Sequence, residues 1–144
     1  MLLGTYFHSL DDKNRLILPA KIVSKLKDDV VVSKGFEGCL ELRTSKNFEL
    51  YVEKLMRLSQ NKKESRILIR QLLANAIDLK IDKTNRILIP SNLLKESNII
   101  DEVTIIGVGN KLELWDSKKY KKFKLETDST YDLIAEKIDD NNNE

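Results

Sequence analysis

Two stretches of this chain hold the residue types best suited to chemistry. They are Asp11-Asp12-Lys13-Asn14-Arg15-Leu16-Ile17-Leu18-Pro19 and Asp82-Lys83-Thr84-Asn85-Arg86-Ile87-Leu88-Ile89-Pro90. Asp, Asn, Arg and Pro fall at matching places, and three aliphatic residues separate Arg from Pro in both. An arginine presents a planar fork of N–H donors that never loses its charge, suited to anions and to base edges. The aspartate four residues earlier leaves two readings. In one, Asp and Arg form a surface ion pair across a turn, worth about 0–1 kcal/mol when exposed. In the other, Arg contacts an anion or a base. One copy alone favours the first reading. The same donor kept in two separated loops raises the second, and on the residues alone both stay open.

Little else in the chain supports catalysis. His8 is the only histidine and Cys39 the only cysteine, and neither a P-loop nor a cluster with metal-ligand spacing is present. Asp11 and Asp82 could be imagined as paired carboxylates, with the arginines clamping a phosphoryl or carboxylate group. No further acid, base or nucleophile completes that site, so no catalytic residue, metal or cofactor is expected. His8 lies in an alternating segment and reads as structural. A lone cysteine allows no intrachain disulfide, which fits a reducing cytoplasm.

The chain has 144 residues, 41% hydrophobic and 33% charged, enough for one well-buried domain or two small fused halves. The net charge is only +2, so any nucleic-acid site must be local or assembled from several copies. Residues 1–6 lack a basic leader. No segment approaches the roughly 20 apolar residues of a membrane span, so no membrane partner is expected.

Each doubled stretch needs a defined backbone around it. Asp caps nearby N–H groups, and Asn is the non-glycine residue that best tolerates a left-handed conformation. The aliphatic triplet suits a short buried strand. Pro ends that strand, having no N–H for a ladder, and favours the first turn of a helix. Arg therefore sits where the turn enters the strand, anchored at one end and free at the other.

Along the chain, 3–10 reads as a strand, 16–18 as a second, and 19–27 as a helix with Ile22, Val23 and Leu26 on one face. Asp28 and Asp29 end it. Residues 30–32 form a strand, Gly35 to Gly38 a turn, and 39–43, alternating apolar and polar, the returning strand. Thr44 or Ser45 caps a helix over 45–59, with Phe48, Tyr51, Val52, Leu55 and Met56 at helical spacing. Residues 61–64 are a polar break. A helix over 66–76 buries Leu68, Ile69, Leu72, Leu73 and Ala76. Residues 77–81 lead into the second turn, and the pattern restarts. A helix spans 90–96, strands 103–106 and 112–115 flank a turn, and a helix begins at Ser117. Trp115 reads as core or edge packing, with no aromatic cluster to stack bases.

The repeat runs well past the opening motif. A shift of 71 aligns Asp11 with Asp82. A shift of 72 aligns Gly35 with Gly107, Leu40-Glu41-Leu42 with Leu112-Glu113-Leu114, and Phe48 with Tyr120, so one residue differs before the third strand. Two copies are too few for a solenoid and suit a pseudo-twofold unit whose halves bury each other's apolar faces. The expected division is a first half over 1–55, a connecting helix over 56–75, a second half over 76–124, and a C-terminal helix and acidic tail over 125–144. Tyr131, Ile134, Ala135 and Ile138 line one face of that last helix, which packs on its own subunit or on another. Residues 139–144 read as disordered.

An Asp-x-x-x-Arg turn followed by an aliphatic triplet and Pro, present twice in a chain of this length, resembles the MraZ family. The resemblance covers about 1–125, including Gly35, both Leu-Glu-Leu segments and the helix at 66–76. It implies an α+β fold of tandem AbrB-like swapped-hairpin halves, interleaved into a small pseudo-twofold β-barrel flanked by helices. It also implies a non-enzymatic, sequence-specific DNA-binding transcriptional regulator of the division and cell-wall gene cluster. Such a protein binds direct repeats of double-stranded DNA upstream of its own operon, is cytoplasmic and nucleoid-associated, and assembles as a closed ring. The resemblance puts Arg15 and Arg86 on the DNA. The family typically has Gly before the Arg, where this chain has Asn14 and Asn85, and nothing transfers onto the segment from about Glu126.

On that basis each guanidinium would bond bidentately to O6 and N7 of guanine. Lys13 and Lys83 would reach phosphates, which position a complex without reading sequence. Asp11, Asn14, Asp82 and Asn85 would shape the loops. Repeated presentation of the same loops would offset the low charge through effective concentration. The alternative is an assembly or interaction protein of the division machinery that uses helices 45–59 and 117–138 as partner faces. An antitoxin-like role is weaker, because antitoxins usually carry one such domain and a long disordered tail.

Overall fold

The computed structural model describes residues 1–27 and 29–142. Its class is α+β with antiparallel pairing throughout. The first half gives β1 (Leu2–Ser9), β2 (Arg15–Ile17), α1 (Ala20–Leu26), β3 (Asp29–Lys34), β4 (Leu40–Thr44) and α2 (Ser45–Met56). After α3 (Lys63–Ala74) the second half repeats the order with β5 (Ile77–Lys80), β6 (Arg86–Leu88), α4 (Ser91–Glu96), β7 (Glu102–Gly109), β8 (Leu112–Asp116) and α5 (Ser117–Thr127). A 3-10 turn, Asp128–Thr130, leads to α6 (Tyr131–Asn142).

The halves exchange strands. A six-stranded sheet runs β1-β7-β8-β4-β3-β5, and a two-stranded ribbon pairs β2 with β6. Among the named strands of the described residues, only the hairpins β3–β4 and β7–β8 pair within a half. The pairing is self-symmetric at two places. Leu16 faces its own repeat mate Ile87, and Glu41 faces its mate Glu113. A pseudo-twofold axis passes through both pairs.

Pairing also corrects the repeat register. The offset is 71 where Leu16 meets Ile87, but Asp29 and Glu102 hold equivalent places opposite Lys80 and Ser9, an offset of 73. It returns to 72 at Glu41 and Glu113. The second half thus gains two residues before its third strand and loses one in the hairpin, and Gly107 is the mate of Lys34, not of Gly35. Gly107 is required for another reason: a Cβ there would collide with the backbone of Leu2 and Leu3 on the adjoining β1.

The core lies between the ribbon and the inner face of the sheet. Leu16, Leu18, Ile87 and Ile89 meet Val30, Val32, Leu42, Val103, Ile105 and Leu114, with Ile22, Leu26 and Leu93 from α1 and α4 closing the sides. Pro19 and Pro90 occupy the N-cap positions of those short helices. The outer face of the sheet carries α2 and α5. Thr44 caps α2 by accepting the Asn47 N–H at 3.1 Å. Trp115 packs on Tyr120 and Phe123 of α5 at centroid distances of 5.3 and 5.1 Å.

Three expectations change. The helix over 66–76 is found as α3, starting earlier, and of its expected buried stripe only Leu72 is fully covered, because α3 touches little beyond β3. Residues 139–142, expected to be disordered, continue α6; Asn143, Glu144 and Asp28 lie outside the described residues. The outer face of β4, which alternation marks as polar, is buried with Glu41 and Arg43.

Leu16 is fully buried on the axis while Leu88, on the opposite face of the ribbon, is exposed. Leu16→Ala should therefore cost about 2–5 kcal/mol in urea unfolding, and Leu88→Ala no more than about 0.5 kcal/mol. Similar losses in the two variants would contradict this placement of the ribbon.

Candidate nucleic-acid interface

Both doubled loops fold alike, and the ribbon brings them together. Asn14 and Asn85 take φ values of 61° and 65°, the left-handed conformation that lets the chain reverse within the turn. The Asp11 N–H donates to Arg15 O at 2.9 Å and the Asp82 N–H to Arg86 O at 2.9 Å, closing each loop. The loops also bond to each other: Leu18 N–H donates to Asn85 O at 2.8 Å, and Ile89 N–H to Asn14 O at 3.0 Å.

Each aspartate holds its loop through both carboxylate oxygens. Asp11 Oδ1 accepts the backbone N–H groups of Lys13 and Arg15, both at 2.9 Å, and Oδ2 accepts Arg15 Nε–H at 2.6 Å. Asp82 Oδ1 accepts from the Thr84 and Arg86 N–H groups and the Thr84 hydroxyl, each at 2.9 Å. Its Oδ2 accepts Arg86 Nε–H at 3.1 Å. These bonds hold both carboxyls below their ordinary value. For Asp11 the Arg15 backbone N–H is the largest cause, and for Asp82 the Arg86 backbone N–H, which brings it to about 2.

Register fixes where the arginines lie. Arg15 pairs with Leu88 and Ile17 with Arg86, so all four side chains leave the same face of the ribbon, away from Leu16 and Ile87. Arg86 Nη1 comes within 3.9 Å of Asp11 Oδ2 across the ribbon. The outward face is thus one compact patch of two arginines beside two exposed aliphatic side chains. Aspartate occupies each Nε. Among the described residues no hydrogen bond takes the Nη ends, which are the end of the fork that a bidentate acceptor needs. The structural pair and the available donor therefore coexist in one side chain. Lys13 and Lys83 are exposed in the loops beside the patch.

A second polar group lies at the other end of the axis and was not foreseen from sequence. Glu41 and Glu113 face each other across β4 and β8 with Cys39 beside them, their ligand atoms within 4.8 Å of one another. Like charges directly opposite are unfavourable unless compensated. Lys111 Nζ donates to Glu41 Oε2 at 2.7 Å, Arg43 Nη1 lies 2.8 Å from Glu41 Oε1, and Trp115 Nε1–H donates to Glu113 Oε1 at 3.1 Å. Arg43 also stacks on Tyr51, 3.8 Å from its ring centre. Burial first, then the Glu113 and Glu41 carboxylates, push the Cys39 thiol up to about 12, which keeps it protonated. Two cations sit on Glu41 and a neutral indole N–H on Glu113, so the group reads as a structural network. The doubled Leu-Glu-Leu was the available signal, but it did not reveal that the two Glu residues meet.

Fold and site together define a protein of two equivalent, strand-exchanged halves that presents a pair of aspartate-held arginines on one ribbon. A family model described as "MraZ protein, putative antitoxin-like" matches residues 1–71 and again 72–141. The chain is 44% identical over 140 residues to the "Transcriptional regulator MraZ" of Mycoplasmoides gallisepticum, covering 97% of this chain and 99% of that one. It is 45% identical over 139 residues to the protein of the same name from Mesoplasma florum, covering 96% and 95%. With that of Pediococcus pentosaceus it shares 36% over 140 residues, covering 97% and 98%. The chain belongs to the MraZ family.

The lowered carboxyls predict an acid limit for the loops. A group whose folded pKa is depressed stabilises the fold above its unfolded value, here the ordinary 3.8, and loses that contribution as pH falls through the folded value. In an NMR acid titration the Asn85 and Arg86 amides should hold their shifts through pH 4 and move only toward about pH 2. A midpoint near 3.8 would show that Asp82 does not hold the loop.

Proposed function

We propose that this protein is a transcription regulator that binds double-stranded DNA through Arg15 and Arg86. The observation that carries the reading is the pair of arginines fixed at Nε by Asp11 and Asp82, with no hydrogen bond on their Nη ends among the described residues, side by side on one face of a ribbon. A two-stranded β-ribbon fits the major groove, and a guanidinium bonds bidentately to O6 and N7 of guanine. Holding Nε removes rotamers before binding, so less entropy is lost on contact. Lys13 and Lys83 contact phosphates. Asp11, Asn14, Asp82 and Asn85 shape the loops. The names of the relatives support regulation of transcription as the purpose of that binding.

The finer reading follows the family. The halves 1–55 and 76–124, joined by 56–75, are AbrB-like swapped hairpins closing a small barrel, which the exchange of strands between halves supports. The targets are direct repeats upstream of its own operon in the division and cell-wall gene cluster, and the protein works non-enzymatically at the nucleoid. A net charge of +2 gives one chain weak attraction for DNA. A closed ring that repeats the loops supplies the missing affinity when DNA repeats match the subunit spacing. Among the described residues no helix is long and apolar enough to cross a membrane.

Fluorescence anisotropy with DNA from upstream of the protein's own gene, beside a scrambled control, tests this reading. Arg15→Ala and Arg86→Ala should each weaken specific binding by about 1–3 kcal/mol, roughly 5- to 150-fold, with assembly and fold unchanged. Lys13→Ala should weaken binding to both DNAs alike and flatten the salt dependence by about one unit. If Arg15→Ala breaks the assembly or unfolds the protein, Arg15 is structural and the reading fails.

A further inference from the structure

The pseudo-twofold exposes a surface that the fold itself does not require. A groove of about 590 Å³ runs between β1, β7 and α5, with Phe7 and Tyr120 among its walls, and Glu102, Lys121 and Lys124 around it, Lys124 paired with Asp128 at 2.7 Å. Its mate in the first half, beside β3, β5 and α2, is only about 250 Å³. The register makes Asp78 the mate of Phe7, since they oppose Val31 and Thr104 respectively. The same strand position is therefore filled by a carboxylate in one half and by a phenyl ring, 72% exposed, in the other. Sheet pairing cannot be the reason for that ring.

The second unpartnered surface is α6. It follows α5 as α3 follows α2, but α3 packs on β3 and buries Leu72, whereas α6 touches little beyond the 3-10 turn before it. Tyr131, Ile134, Ala135 and Ile138 lie on one helical face, and all are exposed, Tyr131 by 76% and Ile138 by 55%. Asp132, Glu136, Asp139 and Asp140 make the helix acidic against a single Lys137. The groove wall α5 is the reverse, with Lys118, Lys119, Lys121, Lys122 and Lys124 against Glu126. An acidic helix with an apolar stripe and an apolar groove with a basic rim match in charge and character.

We propose that α6 of one copy docks in the β1–α5 groove of a second copy. The apolar stripe packs against Phe7 and Tyr120, and the acidic side chains meet Lys121, and Lys124 by exchange from Asp128. The contact is heterologous, a different surface on each partner, so it propagates from copy to copy and closes only if the rotation allows. It rests on the reading above that the protein assembles with itself and assigns the surfaces that do so.

Sedimentation velocity of the full chain over a range of concentrations, with Phe7→Asp and Ile134→Asp/Ile138→Asp variants, tests it. Wild type should sediment as an assembly that weakens with salt, and each variant as a monomer. An equimolar mixture of the two variants should stop at a one-to-one pair, because only one intact helix and one intact groove remain to meet. Phe7→Thr, which suits a strand, serves if Phe7→Asp does not fold. A wild-type assembly that persists in either folded variant overturns the docking and leaves self-assembly standing. A wild type that is monomeric at every concentration overturns both.

Discussion

Leu16 opposite Ile87 is the contact on which the arrangement turns. Both are buried against the sheet, and each is the other's repeat mate. A strand has a side-chain period of two, so burying this pair sends the residues on either side, Arg15, Ile17, Arg86 and Leu88, to the solvent face. A one-residue slip of the ribbon would bury both arginines. Core packing therefore sets the position of the two arginines proposed to read DNA, and the exchange of strands keeps the two halves from separating.

The aspartates let a structural ion pair and an available donor share one arginine. A carboxylate near DNA should repel phosphate, yet Asp11 and Asp82 spend their oxygens on backbone N–H groups and on arginine Nε. Their charge is used inward, while the guanidinium charge extends outward. The opposite end of the axis follows a similar logic. Glu41 and Glu113 are forced together by symmetry, and the Lys111 and Trp115 donors with the Arg43 charge make the meeting tolerable.

Local features were legible because local chemistry dictates them. Asn14 and Asn85 are left-handed, the aliphatic triplets give strands that Pro19 and Pro90 end, and the order of elements repeats. Pairing was not legible. Nothing in 3–10 says that it joins β7 of the other half, and an insertion in one loop offset by a deletion in the next hides the offset of 73 from a simple shift. Burial on the outer sheet face was missed because Glu41 and Arg43 look like a solvated edge until a helix covers them. For α3 and α6 the helical period was right, but an amphipathic stripe does not say whether its own chain provides the cover.

Base reading by the two held arginines is tested most directly by anisotropy with upstream DNA in which 7-deazaguanine replaces guanine. This removes the N7 acceptor and leaves base pairing intact. Wild type should lose sequence-dependent binding to the modified DNA, while an Arg15→Ala/Arg86→Ala double variant should bind modified and ordinary DNA alike. Undiminished wild-type binding, or the same loss in the double variant as in wild type, would contradict the account.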